Sequence, residues 1–458
     1  MSASLDEYLD KNDKRALDEL KELIRIPSVS ADSKFKGDVK RACDFVADKL
    51  KAAGLSVDVS TVNDSHPIIY GEWLKAPGAP TVLIYGHYDV QPADPLELWE
   101  SGPFDPVEKD GDLVARGSTD DKGQMYTHVK AIEALLKVNA KLPVNVKVLI
   151  EGEEEVGSKN LGEYMDKNAA RLKCDVAIIS DTSMYDYDMP AVTYGLKGLA
   201  YYELFVQGPI RDLHSGSFGG AVQNPINALC TVIAAMKDAD GRIQLPGFYD
   251  DVKPLTQQER EEFASLGFDE KRFATEQGVK QVFGEKGYTT LERKWARPTC
   301  DVNGIGGGYQ GEGAKTVLPA KAFAKFSFRL VPNQDPKKIT ASLKTFLEHH
   351  MPPGVTYELK DHHGAPGVVV PLDSPYMAAA SAALEAVYGK KPYFIREGGS
   401  IPVVTDFKKR LGVDTLLMGY GLPDDKPHSP NEKFRIADYF KGIRVNCKLL
   451  EEIAKIKK

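Results

Sequence analysis

The stretch PTVLIYGHYDV, residues 80–90, decides the fold. Its first half is a short apolar run rich in branched and aromatic side chains, as expected of a strand buried on both faces. It then changes abruptly to Gly86, His87 and Asp89, which place polar chemistry where the strand ends. Open parallel sheets bind ligands beyond the carboxyl ends of their strands. The stretch therefore predicts both a fold class and the end of the sheet that carries function.

Further runs extend the pattern: SVDVSTV (56–62), VNVKVLIEG (144–152), CDVAIIS (174–180) and DTLLMGY (414–420). Helical spacing lies between and around them. Leu17, Leu20 and Ile24 share a face over 13–26 before Pro27, and Val39, Cys43, Val46 and Leu50 do so over 37–53 before a Gly54 cap. Met125, Val129, Ile132 and Leu136 mark a helix over 123–138. Ser374-Pro375 opens an alanine-rich helix, and Ile436, Tyr439, Phe440, Ile443 and Cys447 face a final one. Strands alternating with helices predict a doubly wound α/β domain with a mixed, mainly parallel sheet.

After about residue 192 the period changes. YYELFVQ (201–207) and AFAKFSFRLV (322–331) alternate with period two, as half-exposed antiparallel strands do. Helices at about 225–237, capped by Asn224 with Pro225 behind it, and at about 336–350 would cover one face. Residues 241–314 are expected to be loop-rich. Their GIGGGYQGEG does not join a buried strand to a helix, so it reads as a flexible loop and not a phosphate cradle. The expected architecture is a discontinuous catalytic domain, 1–192 and 375–458, with an inserted α+β domain, 193–374.

Bulk properties exclude several classes. A chain of 458 residues with formal charge −7 offers no nucleic-acid surface. Five scattered cysteines without CxxC spacing argue against a disulfide framework and for a reducing compartment. The opening MSASLDEYLDKNDKRALDEL lacks the apolar core of a secretory signal, and no apolar run is long enough to span a membrane. A cytoplasmic location is the expectation.

Metal-capable side chains recur after the strands. His87 and Asp89 follow the first; Glu153, Glu154 and Glu155 follow 144–150; Asp181 follows 174–180; His428 follows 414–420 in PHSPNEK. Asp120 stands in RGSTDDKG before the 123–138 helix. Singly, each is an ordinary loop residue or helix cap. Together, two histidines and several carboxylates at one end of a sheet suit a pair of Zn²⁺ or Mn²⁺ ions better than Ca²⁺. Divalent cations acidify water and polarise a carbonyl, and an adjacent carboxylate can take and return a proton. No HExxH, GxSxG or Walker A sequence is present.

Taken in order, GHYDV, RGSTDDKG, EGEEEVGS, ISD, DLHSG, FSFRLVP, REGGSIPV and PHSPNEK resemble the dinuclear metallopeptidases that include carnosinases, nonspecific dipeptidases, aminoacylase and bacterial carboxypeptidases. The nonspecific dipeptidases are the nearest match. The resemblance implies two divalent ions per subunit, with Asp120 bridging them. His87 and Asp181 would complete one ligand set, Glu155 and His428 the other. Asp89 would orient His87, Glu154 would be the general base, and the Asp120–Asp121 peptide would be cis. It further implies a homodimer in which His214 crosses the interface to stabilise the oxyanion. Arg329 would fork onto the substrate's terminal carboxylate, with Thr316 and Ser400 as further substrate contacts. Without the resemblance, His214 reads as a turn histidine and Arg329 as a solvated strand residue. Asp181, where deacylases and carboxypeptidases carry Glu, favours a substrate with a free amino terminus. The expected activity is therefore broad-specificity dipeptide hydrolysis. The alternative is an N-acyl-amino-acid deacylase or small-peptide carboxypeptidase with the same metal centre.

Overall fold

The computed structural model describes residues 4–399 and 401–457. The chain divides into two compact units. The first runs to Tyr194 and includes Val370–Ile395 and the chain from Pro402; the second is Gly195–Val369 with Arg396–Ile401.

The first unit is built on one mixed sheet. Its strands run in the order Ser56–Ser60, Ile68–Trp73, Asn145–Glu151, Thr81–His87, Val176–Ile179, Thr415–Leu417 and Ala191–Leu196. The central pairs are parallel. Thr81 faces Asn145 and His87 faces Glu151, Tyr85 faces Ile179, and Leu417 faces Ile179 from the other side. Ile68–Trp73 joins this core antiparallel. Val82, Val146, Ile178 and Ile179 are fully buried, which explains the unbroken apolar runs. Truncating a buried leucine such as Leu83 to alanine is expected to cost ~2–5 kcal/mol.

Helices Leu5–Ile24, Lys36–Ala53 and Ile436–Ile453 pack around Lys122–Asn139. That central helix is buried on nearly every side from Lys122 to Leu135, so it lacks a solvent face. Leu5–Ile24 begins earlier than the 13–26 spacing suggests. Ser4 and Glu7 cap each other there, satisfying two amides at the helix start. Gly54 terminates Lys36–Ala53 at φ 111°, a conformation that its lack of a Cβ permits. The 414–420 strand is shorter than expected. It pairs only over Thr415–Leu417, because the Tyr420 and Gly421 amides then turn to Gln124 Oε1, at 2.6 and 3.3 Å.

The second unit carries a four-stranded antiparallel sheet, ordered Thr299–Gly307, Lys321–Leu330, Gly198–Gln207 and Thr356–Ala365. Burial alternates residue by residue along Gly198–Gln207. Tyr202, Leu204, Phe326 and Phe328 meet Leu229, Val232, Leu343 and Phe346 of helices Pro225–Ala235 and Pro336–His350 in one core. Asn224 caps the first helix, its side chain accepting from the Ile226 amide at 2.8 Å with Pro225 in the first turn.

The 241–314 region is mostly irregular, as expected, but its glycine run is not all loop. It forms helices Gln257–Ser265, Glu270–Glu276 and Thr290–Trp295, and Gly304–Gly307 belong to an edge strand. Gly306 faces Phe323, and a Cβ there would lie 2.5 Å from the ring. The glycines thus let a strand pass close beneath an aromatic side chain. Strands Ile68–Trp73, Thr356–Ala365 and Tyr393–Glu397 have no counterpart in the sequence reading. Among the described residues, no helix is long and apolar enough to cross a membrane.

Candidate metal centre

The register of the parallel strands brings the candidate residues to one end of the first unit. His87 and Glu151 are level, so the Tyr88–Asp89 and Glu153–Glu155 segments leave the sheet side by side. Ile179, level with Tyr85 and Leu417, sends Asp181 and the chain toward His428 from the same end.

His87 is fully buried. Its Nδ1 lies 3.1 Å from the Asp89 carbonyl oxygen and 3.4 Å from Asp89 Oδ1. Its Nε2 lies 3.3 Å from Asp120 Oδ1 and 3.8 Å from Asp181 Oδ2, yet makes no hydrogen bond. A buried ring nitrogen without a partner is costly in a folded protein. On the other side of Asp120, Oδ2 is 2.9 Å from His428 Nε2, which is itself 3.2 Å from Glu155 Oε2. Asp120 therefore offers one oxygen to each of two donor sets, His87–Asp120–Asp181 and Asp120–Glu155–His428. Imidazole nitrogens and carboxylates around a shared carboxylate fit two borderline divalent cations. The Asp120–Asp121 peptide is cis.

The electrostatics fit the same occupants. Burial pushes Glu154 well above the usual carboxylate range; Asp181, Glu155 and Asp120 add to this, against the pull of His87. Burial and Asp181 raise Asp121 in the same way. His428 is raised to about 10 by its hydrogen bonds to Asp120 and Glu155. Ligation requires neutral imidazole, so cation binding here is coupled to proton release.

Three supporting contacts were not visible in the sequence. Asp89 accepts the Glu154 amide on Oδ1 at 3.3 Å and the Glu155 amide on Oδ2 at 3.1 Å, fixing the turn that carries both. Gln91 donates its side-chain amide to Glu155 Oε2 at 2.8 Å and its backbone N–H to Oε1 at 3.2 Å. Asp121 Oδ2 accepts the His87 amide at 3.1 Å. Only proximity to the GHYDV and DDK motifs hinted at these roles.

His214, Thr316 and Arg329 belong to the second unit. His214 closes the short Leu213–His214 strand opposite Val317, and the Ser215 amide donates to the Thr316 carbonyl at 3.1 Å. His214 is exposed, and its Nδ1 accepts the Gly216 amide at 3.1 Å. In the neutral ring the proton is then on Nε2, which is left as a donor. Arg329 is half-buried on Lys321–Leu330, and burial lowers its guanidinium against the pull of Asp301. Ser400 lies outside the described residues.

Comparison with known proteins follows the same lines. The profile of Peptidase family M20/M25/M40 matches residues 83–452. The chain is 37% identical over 449 residues to the Cys-Gly metallodipeptidase DUG1 of Candida albicans, covering 93% of this chain and 92% of that protein. The crystal structure of human carnosine dipeptidase 1 superposes with a TM-score of 0.86 at 30% identity, covering all of both chains. The M20 family metallo-carboxypeptidase Sso-CP2 from Sulfolobus solfataricus gives a TM-score of 0.87 at 35% identity, over 96% of this chain and 99% of that one.

Proposed function

The chain belongs to Peptidase family M20/M25/M40, and on that footing we propose that it is a metal-dependent dipeptidase of broad specificity. The observation that carries this reading is Asp120, with one oxygen toward each of two donor sets and the orphaned His87 Nε2 facing it. His87, Asp120 and Asp181 would hold one ion, and Asp120, Glu155 and His428 the other. Bound Zn²⁺ or Mn²⁺ supplies Lewis acidity toward the scissile carbonyl and lowers the pKa of attacking water.

The chain's own groups do the rest. Glu154 takes the proton of the attacking water and delivers it to the leaving amine. Asp89 holds His87 in orientation and fixes the turn bearing Glu154. His214 donates from Nε2 to the oxyanion that forms as the carbonyl is attacked. It acts in the partner subunit of a homodimer, with residues 193–374 as the dimerisation and lid domain. Arg329 binds the substrate's terminal carboxylate through its planar fork, assisted by Thr316 and Ser400. The free cysteines are consistent with a cytoplasmic location.

Dipeptides are the substrate class of the Cys-Gly metallodipeptidase and carnosine dipeptidase relatives, and Asp181 agrees with a free substrate amino group. A carboxypeptidase reading has one observation in its favour, the likeness to Sso-CP2. The deciding assay sets a free dipeptide against its N-acetylated form and a longer peptide, with Zn²⁺, Mn²⁺ or Co²⁺ supplied singly. Preference for the acetylated or longer substrate would overturn the dipeptidase reading.

A further inference from the structure

Glu432 stands four residues beyond His428 in PHSPNEK and is fully buried. Its carboxylate accepts four hydrogen bonds. Oε2 takes Arg116 Nη1 at 2.7 Å and the Gly117 amide at 3.0 Å. Oε1 takes the Thr119 amide at 3.0 Å and the Asp120 amide at 3.1 Å. Three of the four donors are backbone groups of the segment that delivers Asp120. We infer that Glu432 is a positioning residue that locks the Asp120 segment to the His428 segment, so that both donor sets are assembled as one piece. The inference rests on the ligand assignment proposed above.

A simple buried ion pair would explain Arg116 alone. It would not explain why the 117–120 backbone wraps the same carboxylate. A second tie runs parallel to the first: Asp425 Oδ2 accepts Thr119 Oγ1 at 3.1 Å and the Leu422 amide at 2.7 Å. His428 thus lies between two anchored points, Asp425 and Glu432. Its own backbone needs such support, because Lys426, His428 and Asn431 adopt φ of 56°, 60° and 61°. Left-handed conformations cost side-chain-bearing residues free energy, and an anchored segment offsets that cost. Arg116 extends the brace outward, donating to the Pro92 carbonyl at 3.2 Å with its guanidinium 5.6 Å from the Trp99 ring.

Glu432→Gln keeps the shape but turns one acceptor oxygen into a donor group. Asp120 serves both donor sets, so loosening its segment should weaken both together. In the full-length protein, stripped of metal and titrated with Zn²⁺ against a chelating indicator, both binding steps should weaken about 10–100-fold. At saturating Zn²⁺, kcat should fall while KM for a dipeptide stays within about twofold. Glu432→Gln leaves Arg116 buried without its charge partner, which can prevent folding. The double variant Arg116→Met/Glu432→Gln removes both charges and should show the same loss of Zn²⁺ affinity in a folded protein. A purely structural role would lower Tm without moving Zn²⁺ affinity, and that result in either folded variant overturns the inference. Asp120→Asn is titrated alongside. If it retains both Zn²⁺ steps, the ligand assignment fails and this inference falls with it. If it loses both while Glu432→Gln loses neither, the positioning role alone is wrong.

Discussion

Asp89 is hydrogen-bonded to the backbone of Glu154, Oδ1 accepting its amide at 3.3 Å while Oδ2 takes the next amide at 3.1 Å. The carboxylate beside His87 therefore also sets where the proposed base stands. The two residues should fail differently. Glu154→Gln should cost at least ~10²–10⁴ in kcat with Zn²⁺ stoichiometry unchanged. Asp89→Asn should weaken Zn²⁺ binding about 10–100-fold as well as slowing turnover. Elemental analysis beside steady-state kinetics separates the two; near-normal kcat in metal-replete Glu154→Gln removes it as the base.

Arg329→Ala should impair dipeptides far more than their C-terminal amides. A charge-assisted fork to a carboxylate contributes about 1.5–3 kcal/mol, or roughly 10–150-fold in kcat/KM. Equal losses on acid and amide would make Arg329 a strand residue only.

His214→Ala and Glu154→Ala are each expected to be inactive. Co-expressed, they pair at random, and about half the dimers are mixed. If His214 serves the partner's site, one site in each mixed dimer is intact, giving about a quarter of wild-type activity. Activity no higher than the separate variants, with mixed dimers verified by tags, excludes the shared site.

His128 provides a test of stability. Burial lowers it to about 3, and it keeps Nε2 2.8 Å from Ser180 Oγ. An unfolded histidine titrates near 6.5. Between about pH 6.5 and 3 the unfolded chain binds a proton that the folded chain refuses, so stability falls as pH drops through that window. In urea titrations of the metal-free protein, His128→Gln should gain on the wild type by up to about 1.4 kcal/mol per pH unit below 6.5. A difference independent of pH would contradict a neutral buried His128.

The centre of the fold was legible because its strands are buried on both faces and so appear as continuous apolar runs. The candidate metal donors were visible because His87, the Glu153–Glu155 turn and Asp181 follow those runs directly. Less was readable where local pattern and tertiary role diverge. Ile68–Trp73 is interrupted by Gly71 and Glu72, and Thr356–Ala365 is a polar edge strand with one neighbour. Gly304, Gly306 and Gly307 signal a loop by composition but lie along a neighbouring strand, where Phe323 covers Gly306. Gln91, Gln124 and Glu432 are polar residues whose partners lie far away in sequence, and no periodicity reveals them.

The matched register of Thr81–His87, Asn145–Glu151 and Val176–Ile179 also sets where the gene can change length. A one-residue insertion within any of these strands turns every later side chain to the opposite face, and the donor that follows turns with it. At the other end of the sheet, Leu74, Lys75, Gly78 and Asn139–Lys141 are exposed and bear no donor. Insertions, purification tags or reporter domains placed in those turns should be tolerated, while the ends of the strands that feed the donors admit substitution but no change of length.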